Sequence, residues 1–210
     1  MLTLYYAPGT ASLCVHQFLL ELGIDHRLEK VDTEAKQQKS PEYLKLNPAG
    51  VVPTLIVDGA PVIECAALTL LLAERHPEAA LEPARGTRER ATYLQWTMTL
   101  ANTLQPAFRL WWYPAEGAGE GHEEATQALA GARIAAVFDR LDAHLAAHGP
   151  YICGDKISAV DFYATMLMRW SRNMPKPAHE WPALGAYAAR MKARPSFKAL
   201  YQREGLTEWA

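Results

Sequence analysis

Three hydroxyl-bearing side chains stand close together near the amino terminus: Tyr6, Thr10 and Ser12. The apolar spacing that follows predicts a helix over residues 13–22, so these hydroxyls flank a helix start. The first N–H groups of a helix have no partner inside it and favour a negative charge in front of them. Each hydroxyl can donate one hydrogen bond to such an anion. The cluster could therefore stabilise an anionic reactant, although Ser12 is also a good helix cap and could serve folding alone.

A second chemically suggestive stretch is Asn47–Leu55, which places prolines and a glycine directly before a strand-like run. A proline there cannot donate to a sheet ladder and marks a special backbone geometry, of which a cis Val52–Pro53 bond is one. That bond would leave the Val52 N–H and C=O free to pair with an extended peptide, as an added strand would. An ordinary proline-stiffened loop is the alternative.

The elements around these two features follow from periodicity and from the helix-breaking residues. We expect a strand over residues 2–6, a helix over 13–22 and a second strand over 26–31. A short helix over 41–46 follows, then two strands on either side of the Asp58-Gly59 turn, and a helix over 65–75. This is the β-α-β, α, β-β, α order of the thioredoxin-like fold. Pro53 stands where that fold keeps a cis-proline.

From Arg88 onward the pattern is helical. We expect an α+β, two-domain protein, with a thioredoxin-like domain over residues 1–77, a linker over 78–87 and an all-helical domain over 88–210. Long helices are predicted over 87–105, which Pro106 should kink or re-register, and over 123–147. A third helix begins at Ser158, where Asp161 completes a capping-box spacing and should be buried for a structural reason.

Five segments resemble signatures of one family, in the same order and at matching spacing: Tyr5–Leu13, Asn47–Leu55, Glu64-Cys65, Ile152–Asp161 and Ala193–Phe197. Over nearly its whole length the chain resembles the glutathione S-transferase superfamily, and within it most closely the bacterial beta class. Each segment alone is moderately specific for this family, whereas the five together, in this order and at this spacing, are strong evidence of the resemblance.

The resemblance implies a cytoplasmic homodimer that uses glutathione as co-substrate and needs no metal. The glutathione thiolate would attack a small hydrophobic electrophile, with the sulfur stabilised by Ser12 as first choice, then Thr10, then Tyr6. Thr10 stands where the delta class places its catalytic serine. The beta class carries a cysteine at position 11, where this chain has Ala11, so a mixed disulfide with glutathione is not expected at that loop.

The resemblance also implies which residues hold glutathione. Val52 and Pro53 would pair its cysteinyl backbone, Glu64 its γ-glutamyl ammonium, and the helix start at Cys65 its γ-glutamyl carboxylate. The glycyl carboxylate would meet Lys36 and Lys39. Glu64-Cys65 as a plain helix start, and the lysines as solvated surface residues, are the simpler interpretations.

In place of a beta-class His-Lys pair on the first long helix, the chain has Ala101-Asn102 or Asn102-Thr103. Asn102 could donate a neutral hydrogen bond to the sulfur instead. The electrophile should bind in a cleft to which the helical domain contributes, with the candidates Phe108, Trp111, Trp112, Tyr113, Met166 and Trp170. Aromatic rows on helices are, however, more often part of a core.

The composition narrows the possible functions and cellular locations of the protein. A net charge of −2 gives no electrostatic basis for binding nucleic acid or an anionic membrane, and no run of about 20 apolar residues is present. We expect no signal peptide. Three widely spaced cysteines argue against a disulfide framework, a zinc site and a C-x-x-C redox motif, and they fit a reducing cytoplasm.

Two rival functions remain at this level: a glutathione-dependent disulfide or peroxide reductase, and a non-enzymatic protein that binds glutathione or apolar ligands. A glutathione adduct could form only on Cys14, Cys65 or Cys153, and Cys65 is expected first because of its helix-start position. Cys14 and Cys153 are expected to be core residues.

Overall fold

The computed structural model of the protein describes residues 1–209. The chain divides into two compact units. The first comprises Met1–Leu81 together with the chain from Met191 onward, and the second comprises Glu82–Arg190. Within residues 1–209, no helix combines the length and apolar content needed to cross a membrane.

The first unit is built on a four-stranded mixed sheet in the order β2-β1-β3-β4. The strands are β1 (Leu2–Tyr6), β2 (His26–Lys30), β3 (Thr54–Val57) and β4 (Ala60–Ile63). β1 and β2 run parallel, with Leu2 opposite His26, whereas β1 and β3 run antiparallel, with Tyr5 opposite Thr54. This is the thioredoxin-like arrangement that the sequence predicts.

Three helices follow these strands in the first unit: α1 (Ser12–Glu21), α2 (Pro41–Leu44) and α3 (Cys65–Arg75). α1 buries Leu13, Phe18 and Leu19, the apolar stripe that predicts it. Ser12 is its first helical residue and Ala11 takes the cap position, so the interpretation of Ser12 as the helix cap is wrong. α3 has the predicted limits.

The second unit is helical and contains α4 (Arg88–Thr99), α5 (Gln105–Trp112), α6 (Ala115–Ala118), α7 (Glu123–His148), α8 (Ala159–Trp170) and most of α9 (Pro182–Lys192). The Thr87 side chain caps α4 by accepting from the Arg90 N–H. A π-helical segment, Leu100–Leu104, joins α4 to α5 and ends two positions before Pro106. The irregularity expected at this proline is therefore a change of helix type rather than an end of the helix.

Asp161 organises the start of α8. Its carboxylate accepts hydrogen bonds from the backbone N–H groups of Ile152 (3.0 Å) and Ser158 (2.7 Å), from the Ser158 hydroxyl (2.9 Å) and from the Tyr187 hydroxyl (2.9 Å). The residue is fully buried. The structural role predicted for Asp161 is confirmed.

The last helix, α10 (Pro195–Glu204), packs on α1. Arg194, at its N-cap, pairs through its guanidinium with the Glu21 carboxylate, and Glu204 meets His16 of α1. These contacts place the carboxyl-terminal segment in the first unit, whereas the expected helical domain extends to residue 210. Local helical periodicity carries no information about the unit against which a helix packs.

Candidate functional site

Two of the predicted hydroxyls meet at the Ala7 backbone, in the turn between β1 and α1. The Thr10 hydroxyl donates to the Ala7 carbonyl at 2.7 Å. The Ser12 hydroxyl accepts from the Ala7 N–H at 3.3 Å and donates to the Ala7 carbonyl at 3.1 Å. The two hydroxyl oxygens lie 3.1 Å apart. Ser12 is fully buried whereas Thr10 is half-buried, so Thr10 is the more accessible of the two to a ligand.

Tyr6, the third candidate, ends β1 and is half-buried. Its ring lies 5.8 Å from that of His16. Burial, and then the Glu204 carboxylate, raise the pKa of the phenol. Tyr6 therefore remains protonated at neutral pH and can act as a hydrogen-bond donor but not as a base.

The loop that carries Thr10 is anchored from α10, by contacts that sequence reasoning missed. The Gly9 N–H donates to Glu204 Oε2 at 3.0 Å, and Glu204 Oε1 lies 2.7 Å from His16 Nδ1. Both side chains are fully buried. Because Glu204 lies 195 residues beyond Gly9 at the end of a polar helix, no local pattern distinguishes it from a solvated surface carboxylate.

The Val52–Pro53 bond is cis, as the sequence predicts. The Val51 carbonyl accepts from the Asn47 amide at 2.7 Å and from the Tyr43 hydroxyl at 2.8 Å, so the loop is held from beneath. Within residues 1–209, by contrast, no hydrogen bond uses the Val52 N–H or C=O. The loop thus has one residue whose backbone is free to pair with a ligand.

Glu64 and Cys65 bring the start of α3 to the start of α1. Glu64 is exposed and takes the N-cap position of α3 with φ 75° and ψ 118°, a conformation that non-glycine residues rarely adopt and that concentrates at functional sites. Cys65 is buried, and its thiol donates to the Ala11 carbonyl at 3.4 Å. Two helix amino termini therefore meet at Ala11, beside the hydroxyl cluster.

The predicted lysines differ in placement. Lys36 and Lys39 are both exposed. The Lys39 ammonium donates to the Ala49 carbonyl at 3.2 Å, which places it against the cis-proline loop. Lys36 adopts the left-handed conformation with φ 58° in the turn that precedes Lys39.

The remaining candidates belong to the second unit. Asn102 is exposed within the π-helical segment. Phe108 and Met166 are buried in the helical core, where the Phe108 ring lies 5.9 Å from the half-buried Trp170 ring. Trp112 and Tyr113 are exposed. As they stand, Phe108 and Met166 serve packing, whereas Trp112 and Tyr113 are available to a ligand.

The half-buried Trp111 covers α7. Its ring comes so close to Gly131 that a β-carbon there would lie 3.0 Å from it. The indole is therefore engaged in helix packing.

Two family models match the chain: "Glutathione S-transferase, N-terminal domain" over residues 1–73 and "Glutathione S-transferase, C-terminal domain" over residues 102–204. The chain is 32% identical to glutathione S-transferase GST-4.5 of Xanthomonas campestris pv. campestris, over 97% of this chain and 98% of the relative. The chain belongs to the glutathione S-transferase family. This membership identifies an enzyme that binds glutathione, and it removes the interpretation as a non-enzymatic binding protein.

Solved structures agree on the fold of the transferase. A glutathione transferase homologue from Sulfitobacter with bound glutathione superposes with a TM-score of 0.90 at 28% identity, covering 99% of each chain. The bacterial beta-class enzyme of Sphingomonas chungbukensis superposes with a TM-score of 0.84 at 29% identity, covering 98% of this chain and all of that one. Beta-class transferases are thus among its structural neighbours, as the sequence signatures indicate.

Proposed function

We propose that this transferase conjugates the glutathione thiolate to small hydrophobic electrophiles, and that the tripeptide lies across the cis-proline loop and the starts of α1 and α3. The observation that carries the proposal is the meeting of two helix amino termini at Ala11 beside the free Val52 backbone. A peptide with an anionic sulfur and a carboxylate matches such a surface, because helix amino termini favour negative charge.

Each end of glutathione has a partner on this surface. The Val52 N–H and C=O pair with the cysteinyl residue, and Pro53 holds them in position. The γ-glutamyl carboxylate meets the first N–H groups of α3 at Cys65, and its ammonium meets the exposed Glu64 carboxylate. The glycyl carboxylate meets Lys39, which already contacts the loop, and Lys36 adds a second positive charge nearby.

The geometry favours Thr10 over Ser12 as the donor to the sulfur. Both hydroxyls donate to the Ala7 carbonyl, so Thr10 can turn its hydrogen towards a thiolate while Ser12 keeps that carbonyl satisfied. Ser12 is fully buried and acts by holding Thr10 and the turn. The added hydrogen bond favours the charged sulfur over the thiol and raises the thiolate fraction at neutral pH.

The electrophile is proposed to contact exposed aromatic side chains of the second unit. Trp112 and Tyr113 each have an arginine near the ring face: the Arg172 guanidinium lies 5.9 Å from the Trp112 ring centre, and that of Arg109 lies 4.2 Å from the Tyr113 ring centre. Flat apolar rings beside positive charges suit electron-poor aromatic electrophiles that carry partial negative charge at their edges.

Three substrates separate conjugation from its rival. The purified protein should conjugate glutathione to a chlorinated aromatic compound at a rate well above the uncatalysed reaction. Glutathione-dependent reduction of a hydroperoxide or of a mixed disulfide, without conjugation, would instead assign the protein to the reductase class.

Glu64→Ala should raise the KM for glutathione by roughly tenfold and lower kcat much less, since the carboxylate binds the ammonium equally in the ground state and the transition state. Steady-state kinetics at varied glutathione concentration measure both constants. Glu124→Ala, which removes an exposed carboxylate from the first turn of α7 in the second unit, is the matched control and should change neither constant. A kcat loss that exceeds the KM change would contradict this role for Glu64.

The protein is also expected to form a two-fold homodimer. Leu94 and Met98, one helical turn apart on α4, are exposed at 40% and 41%, which suits an interface. Sedimentation at micromolar concentration should give about twice the 23.3 kDa mass of one chain. A single species with the mass of one chain would contradict the dimer.

A further inference from the structure

Two of the three thiols of the transferase meet at one carbonyl oxygen. Cys14, the third residue of α1, and Cys65, the first residue of α3, each donate to the Ala11 carbonyl at 3.4 Å. Because the two sulfurs share this acceptor they are neighbours, and the Cys65 thiol contributes to raising the pKa of Cys14. Both are reduced, and neither has a part in the proposed thiolate chemistry. Fifty-one positions separate them in the sequence, so only the packing of α1 against α3 creates the pair.

The third thiol provides an internal comparison. Cys153 lies in the second unit and accepts a hydrogen bond from the Ser158 hydroxyl. Burial raises its pKa to about 11. Cys153 is half-buried, and no contact within residues 1–209 joins it to another thiol. It therefore serves as a structural cysteine for comparison.

We propose that Cys14 and Cys65 form a redox pair, a modification site at which a low-molecular-mass disulfide such as glutathione disulfide oxidises the two thiols to an internal disulfide. Both sulfurs lie 3.4 Å from the Ala11 carbonyl oxygen, and an internal disulfide requires them to approach to about 2 Å of each other. Cys65 is the attacking thiol because it begins α3 next to the exposed Glu64, where a bound disulfide would approach. Burial, and then the neighbouring Cys65 thiol, raise the pKa of the Cys14 thiol well above its usual range, so Cys14 is the resolving thiol.

The exchange balances in two steps. Cys65 gives its proton to water, and its sulfur attacks one sulfur of glutathione disulfide, which forms a Cys65–glutathione mixed disulfide and releases one glutathione thiolate. That thiolate takes the Cys14 proton, and the Cys14 sulfur then attacks the Cys65 sulfur, forming the internal disulfide and releasing the second glutathione as a thiolate that takes a proton back from water. The protein dithiol is oxidised, the glutathione disulfide is reduced to two glutathione molecules, and excess glutathione reverses both steps.

Because the pair lies at the start of α3, its oxidation should affect glutathione binding; this consequence rests on the proposed function. Cys65 and Cys14 are buried, but Ala11 above them is half-buried and the adjacent Glu64 is exposed. A disulfide removes both sulfur contacts to the Ala11 carbonyl and shifts the first residue of α3, whose N–H is proposed to hold the γ-glutamyl carboxylate. Oxidation should therefore weaken glutathione binding by roughly tenfold.

The test is differential alkylation of the full-length protein after incubation with glutathione disulfide. Free thiols are blocked in denaturant, disulfides are then reduced, and the released thiols receive a second label that is located by peptide mass spectrometry. We expect the second label on Cys14 and Cys65 together and the first label on Cys153. The intact mass should fall by two hydrogens, with no retained glutathione. The first label on Cys14 and Cys65 after long incubation, or a stable glutathione adduct on the unaltered protein, would overturn the proposal.

Two variants sharpen the result. Cys14→Ala removes the resolving thiol, so the intermediate should persist as a glutathione adduct on Cys65. Before oxidation the variant should conjugate at the basal rate. It cannot form the internal disulfide and should therefore not be inhibited by it. Cys153→Ala is the matched control and should oxidise like the unaltered protein. If disulfide formation occurs but glutathione affinity is unchanged, the redox pair stands and the proposed placement of glutathione on α3 fails.

Discussion

Replacing Thr10 with valine is expected to lower the turnover number of the transferase by roughly 10- to 1000-fold, the range for losing one hydrogen-bond donor to a stabilised anion. Valine has nearly the shape of threonine, so the turn after β1 should keep its conformation while the hydroxyl that can reach the sulfur is lost. The measurement is kcat with a chlorinated aromatic substrate at saturating glutathione. Because less thiolate forms at neutral pH, the activity of the variant should recover partly as the pH rises.

Two companion variants separate a donor from a structural hydroxyl. Thr10→Ser keeps the hydroxyl and should retain most of the turnover. Ser12→Ala leaves the buried Ala7 N–H without its partner and should lower the unfolding free energy by about 1–3 kcal/mol, with a smaller loss of turnover per folded molecule.

A different pattern would reassign the chemistry. If Thr10→Val stays within about twofold of the parent while Ser12→Ala abolishes turnover in a folded protein, Ser12 is the donor. If neither change matters, Tyr6, Asn102 or backbone amides hold the thiolate.

Asp161→Ala should lower the unfolding free energy by about 3–5 kcal/mol, because the buried N–H groups of Ile152 and Ser158 lose their acceptor and two buried hydroxyls each lose one of two acceptors. Those donors connect the start of α8 to the segment before it and to α9. Denaturant unfolding followed by circular dichroism measures the change. Turnover per folded molecule should be unaffected, since the carboxylate is fully buried in the second unit.

Asparagine should not rescue this site. Each carboxylate oxygen of Asp161 accepts from two donors, so an amide NH2 would face donors in either orientation. Tyr187→Phe, which removes one of the four donors, should cost only about 1–2 kcal/mol. An Asp161→Asn variant as stable as the parent would show that the network contributes little.

Much of this protein follows from local chemistry. The cis Val52–Pro53 bond, the limits of α3 and the capping box at Ser158 and Asp161 lie where the sequence predicts them. Each depends on interactions within a few residues: the steric properties of proline, the apolar period of one helix, or a side chain that bonds to a backbone three positions away.

The sequence by itself thus determined the two-domain fold class and the family, and it predicts the segments that carry the proposed site. Only the tertiary structure decided that α10 anchors the Gly9 loop through Glu204, that Ser12 is buried while Thr10 is accessible, and that Cys14 and Cys65 meet at Ala11. These contacts join residues far apart in the chain or depend on which of two neighbouring hydroxyls the packing covers. Periodicity and capping rules describe one element at a time, whereas such contacts are set by the combined burial of several elements.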